Sequence, residues 1–91
     1  MQSAESWQSL FEGWPASFPT QGIIVTSFQE SIPFANFMIG EGMVVLDRDK
    51  PDSSGARKVI LAYSEIAALK ITATFELDRF QELGFRTTQQ F

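Results

Sequence analysis

The residues best suited to chemistry gather in one stretch of the chain. Asp47, Asp49 and Asp52 follow the pattern D-x-D-x-x-D, and Arg48, Lys50, Arg57 and Lys58 stand among and just after them. Alternating loop carboxylates are the donor set of a hard cation such as calcium. Here the glycine and the terminal glutamate of a calcium loop are missing from their places, and Arg48 and Lys50 interleave, so the stretch reads as a solvated loop without a metal. The four cations come close together if the strands flanking the loop are hairpin partners, and they are then the candidate nucleic-acid contacts. The competing reading is that they pair with the three aspartates, as exposed charges usually do, for little gain.

Other candidate chemistry is thinner. The chain has no histidine and no cysteine, which removes the commonest general base, a thiol nucleophile, thiolate metal sites and disulfides. Serines and threonines lack a partner to activate them, and no motif supports a serine–lysine pair with Lys58 or Lys70. Glu41 and Asp47 could act as paired carboxylates only at a separation that spacing in the chain does not fix. Glu41, between Gly40 and Gly42, reads as a turn residue. Phe28, Phe34, Phe37 and Tyr63 offer rings on which bases could stack, although a domain of this size needs most of its large residues for its core. The reading is of a binding protein, not an enzyme, with no cofactor.

Charge weakens the case for nucleic acid. The formal net charge is −4, whereas a nucleic-acid binder draws affinity from releasing counterions and is usually basic. No apolar run reaches the ~20 residues of a membrane span, and the start MQSAESWQ has neither the basic region nor the apolar core of a signal peptide. A cytoplasmic protein with no membrane partner is expected.

The elements that must carry these residues follow from periodicity. With 91 residues, the chain has room for a single domain, 1–91. Trp7, Leu10, Phe11 and Trp14 share one helical face, which predicts a short helix over 4–12. Ser3 is its candidate N-cap, Gly13 its stop, and Pro15 forbids continuation. Residues 14–21 read as an ordered loop pinned by Trp14 and Phe18. From Gly22 onward strand signals dominate: 22–28, 32–39, 43–47, 57–63 and 66–75 are rich in β-branched and aromatic residues. Pro33 marks its segment as an edge or a bulge, because proline cannot donate to a ladder. The links are short except for RDKPDSSGA at 48–56, so the strands must run antiparallel. The prediction is mostly β: a five-stranded antiparallel, strongly bent sheet or small barrel over 22–75, then a short helix and tail over 76–91.

A helix before five such strands resembles the Sm-like fold of Sm and LSm RNA-associated proteins. In the run from Arg57 to Leu69, Leu61 matches the strand end of the family's second motif, and Ile66 with Leu69 match its apolar pair. Val44, Val45 and Leu46 match the apolar residues of the first motif. The resemblance spans roughly residues 22–71 and rests on hydrophobic pattern. The uridine-pocket residues differ: Met43 stands where the family has Asn, Ile39 near its Asp, and Ala62 and Tyr63 where it has Arg-Gly. A methyl group cannot replace a guanidinium that stacks on a base. The resemblance therefore implies the family's ring assembly, by edge pairing of the fourth and fifth strands, without its usual RNA pocket. It implies a homo-oligomer with Val59, Leu61, Tyr63, Ile66, Leu69 and Ile71 at the interface, and a further protein or nucleic-acid partner. An open, apolar edge is in any case an invitation to pair. The alternative is a monomeric β adaptor that takes a peptide or lipid headgroup in a groove near residues 31–37.

Overall fold

A computed structural model of the chain describes residues 2–88. It contains helix α1 (Gln2–Glu12) and six strands: β1 (Gly22–Thr26), β2 (Ser31–Phe34), β3 (Asn36–Ile39), β4 (Met43–Asp47), β5 (Lys58–Ala62) and β6 (Ile66–Lys70). A 3-10 turn, Tyr63–Glu65, links β5 to β6, and a 3-10 helix, Leu77–Leu83, follows β6. The strands form two antiparallel three-stranded sheets, in the orders β2-β1-β6 and β3-β4-β5.

This corrects the expectation of five strands in one sheet or barrel. The segment read as one strand over 32–39 turns a corner at Ala35 and serves both sheets, β2 in the first and β3 in the second. Ala35 N–H donates to Asp47 O at 2.7 Å, and Thr20 Oγ1 donates to Ala35 O at 3.3 Å, which fixes the corner. β5 pairs only with β4 and β6 only with β1, so the sheets do not close into a barrel. The other boundaries contract for want of partners. Phe28 falls in a turn after β1, closed by Thr26 N–H to Glu30 O at 2.9 Å, with Gln29 in the left-handed region at φ 68°. The last strand stops at Lys70, opposite Ile23 near the start of β1, because nothing beyond is left to pair with 71–75.

Both sheets turn one face to a shared core. Ile24, Ile32 and Phe34 come from the first sheet, Val44, Leu46 and Leu61 from the second, and Phe11, Tyr63 and Ile66 complete it. Trp7, Leu10 and Trp14 pack against its rim, so the predicted helical face is the one that docks. Ser3 lies inside α1 rather than capping it. Close approach dictates Gly22: a Cβ there would lie 2.8 Å from Lys70 O and 3.3 Å from Phe34 Cζ.

A second aromatic cluster ties the C-terminal segment down. Phe18, Phe75 and Phe80 meet ring to ring, and the Arg79 guanidinium lies 4.9 Å from the Phe75 centroid and 5.5 Å from that of Phe18. Arg79 also pairs with Glu82 at 3.1 Å, and Ser17 Oγ donates to Glu82 Oε1 at 2.9 Å. The Ser17 hydroxyl, then Arg79, hold the Glu82 carboxyl below its usual range. The final helix is thus a 3-10 helix beginning one residue later than expected, and Gly84 at φ 97° ends it. Of the expected tail, residues 89–91 lie outside the described residues.

Candidate functional site

The four cations do surround one loop, and so do the aspartates. Lys58 Nζ lies 3.0 Å from Asp47 Oδ1. Asp52 Oδ1 accepts from Ser54 N–H and Ala56 N–H, both at 2.8 Å, folding the loop back on itself. Those amides, with Ala56 the stronger, and Arg48 nearby keep the Asp52 carboxyl below its usual range. Arg48 Nε donates to Lys50 O at 3.0 Å. Lys50 and Arg57 are exposed and form no ion pair among the described residues. No group of three or more acidic side chains able to hold a metal ion occurs among the described residues.

Of the four rings offered for stacking, Phe34 and Tyr63 are buried, Phe37 is half-buried, and Phe28 alone is well exposed, at 61 %. Tyr63 is fully buried and no hydrogen bond reaches its Oη among the described residues. Burial pushes its phenol up. The Gly40 backbone amide opposes this, yet already donates to Met43 O at 2.9 Å, and the Glu12 charge adds to the rise.

The strand edges differ sharply from one another. Along an antiparallel strand, successive residues point their N–H and C=O to alternate sides. Arg48 N–H to Arg57 O and Tyr63 N–H to Gly42 O set the phase for β5: 57, 59, 61 and 63 face β4, while Lys58, Ile60 and Ala62 turn their main chain outward. Thr26 N–H to Glu30 O sets it for β1, whose residues 23 and 25 then face Lys70 and Ala68 of β6. Ala67 and Leu69 therefore turn outward. On β2 the outward residues include Pro33, which has no N–H to offer. On β3 the outward N–H of Phe37 is occupied by Asn36 Oδ1 at 2.9 Å. Two edges are thus blunted by their own residues, a usual defence against unwanted pairing. The edges of β5 and β6 carry neither device among the described residues, and their charged residues, Lys58 and Lys70, stand at the strand ends and leave the middle of each edge open.

Side chains follow the same alternation. Val59 and Leu61 face the core side, Leu61 buried and Val59 at the rim. Ile60, 67 % exposed, lies on the opposite face, in a row with Val45 and Met38. Tyr63 and Ile66 are buried in the chain's own core, Leu69 packs at its rim opposite Ile24, and Ile71 lies just beyond β6. Ile60 was not among the residues singled out from sequence. Its signal was an apolar side chain at the position where alternation with Val59 and Leu61 calls for a polar one.

A cleft of about 760 Å³ lies in the C-terminal segment, lined by Leu77, Phe80, Phe85 and Arg86 among others. No helix among the described residues is long and apolar enough to cross a membrane. No protein-family model, curated protein or solved structure matches the chain.

Proposed function

We propose that the chain is an Sm-like assembly module: copies join head to tail, the β5 edge of one on the β6 edge of the next, and the resulting ring acts by binding. The observation that carries this is the contrast between blunted and open edges. β2 and β3 are guarded by Pro33 and Asn36, while β5 and β6 retain unpaired main-chain groups beside an exposed isoleucine.

Side-chain parity favours β5 on β6 over β5 on a second β5. Residues directly opposite in an antiparallel pair turn their side chains to the same face. Leu69 lies opposite Ile24 and so faces the core of the first sheet. Setting Ile60 opposite Leu69 of the next copy moves its side chain from water to the open mouth of that copy's core, with Ala62 opposite Ala67. Pairing β5 with β5 would instead line Met38, Val45 and Ile60 up with their equivalents in an exposed apolar row. A β5–β6 join uses different surfaces on the two copies, so it must close as a ring or run on as a fibre.

Nucleic acid is the weaker candidate for what the assembly binds. The net charge is negative, and aspartates neutralise part of the basic loop. The test is sedimentation velocity of the chain over a concentration series: a discrete species above the dimer supports the reading. A monomer throughout would remove it and favour the alternative, an adaptor whose open edge accepts an extended peptide.

A further inference from the structure

We infer that the C-terminal segment of each copy is an acidic arm that docks on the basic loop between β4 and β5 of the copy it joins, Glu76 and Asp78 meeting Arg57 and Lys50. This rests on the head-to-tail reading and adds a second surface to it.

Topology brings the two surfaces together. With Ile60 opposite Leu69 of the next copy, antiparallel counting sets Arg57 beside that copy's Thr72. Beyond that pair the loop at 48–57 turns back on itself, and the next copy's chain leaves β6 at the end of the sheet where that loop lies, which brings its Glu76 and Asp78 to the loop's side of the join. The next copy's chain leaves β6 at Lys70 and carries no helix or strand until Leu77, so it is free of the sheet where it passes the loop.

Charge agrees. Within the loop, Lys58 is taken by Asp47 and Asp52 is spent on the Ser54 and Ala56 amides, which leaves Arg48, Lys50 and Arg57 against a single remaining carboxylate, Asp49, with no ion pair among the described residues. Within the arm, Arg79 is taken by Glu82, and Glu76 and Asp78 are exposed and likewise unpaired. Among the described residues no ion pair joins loop and arm inside one chain.

The acids are also held in place before any partner arrives. Arg79 N–H donates to Glu76 O at 3.0 Å, and the Phe18, Phe75 and Phe80 rings anchor the residues on both sides. A pre-ordered arm loses little freedom on docking. Leu77, 80 % exposed between the two acids, gains cover in the same contact.

The test is charge reversal in the full chain, read as the self-association constant by sedimentation at low and high salt. Arg57→Glu alone, and Glu76→Arg with Asp78→Arg, should each weaken association roughly fivefold at low salt, the scale of exposed pairs. The difference should shrink in high salt. Combining the two sets should restore association. All three substituted residues are exposed, so unchanged circular dichroism and thermal midpoint identify folded variants. If the wild-type chain assembles but reversal changes nothing, or the combination fails to rescue, the arm is wrong and the head-to-tail join stands. If the wild-type chain is monomeric, the join itself fails.

Discussion

Replacing Ile60 by lysine separates folding from assembly. In the single chain Ile60 is 67 % exposed and lies directly opposite Val45 at the free edge of β5. Fully burying an isoleucine is worth roughly 1.5–3 kcal/mol, so the third already covered contributes about 0.5–1 kcal/mol to folding. The remaining two thirds, about 1–2 kcal/mol, becomes available only when a second copy covers it. Lysine forfeits that gain, and it must also carry an ammonium to the rim of the neighbour's core or snorkel away from it. Each join should weaken by roughly 5- to 30-fold, while chain stability falls by no more than about 1 kcal/mol. Sedimentation velocity over a concentration series reads the first quantity and urea denaturation the second. Unchanged self-association would refute the placement of Ile60 in the join. So would a stability loss of about 2 kcal/mol or more, because it would make Ile60 a support of the fold.

Three further outcomes follow from the packing. Gly22→Ala forces a Cβ to within 2.8 Å of Lys70 O, so it should cost about 1–3 kcal/mol and loosen the β1–β6 pairing in hydrogen exchange. Tyr63→Phe removes a buried hydroxyl without a partner among the described residues, and should leave the chain as stable or up to about 1 kcal/mol more stable in urea; a comparable loss would mean that the hydroxyl has a partner in solution. Asp52 is held below its usual range, so its folded pKa is lower than its unfolded one. Its contribution is present above the unfolded value near 3.8 and is lost as pH falls through the folded value. Ser54 and Ala56 amide protection should therefore fade in acid below that pH, and in Asp52→Ala at any pH.

Much of the architecture was readable because local chemistry dictates it. Trp7, Leu10 and Phe11 share a face on a helix, with Trp14 packing beside them just past its end, and the polar, proline-bearing stretch at 48–56 can only be a loop. Pro33 signals an edge or a bulge, and β2 is an edge strand. The corner at Ala35 was missed although a trace of it exists. Ile32 and Phe34 are spaced by two, but the next apolar ring, Phe37, is three further on, a change of parity that a straight strand would not tolerate. Strand ends were misread because propensity describes a residue, whereas a strand ends where its partner does: Phe28 and Phe75 suit a strand and have none to join. The candidate site was least legible. Which edges are open depends on the phase of the ladders, and that phase is set by pairings such as Arg48 with Arg57 that no single segment encodes.

If β5 and β6 are complementary edges that await another copy, the mass of the chain in solution shows it. Light scattering coupled to size exclusion, at micromolar concentration and moderate salt, measures it directly. A head-to-tail join gives one sharp species whose mass is a whole multiple of the chain's and greater than twice it. A species at the mass of a single chain across the concentration range would contradict it.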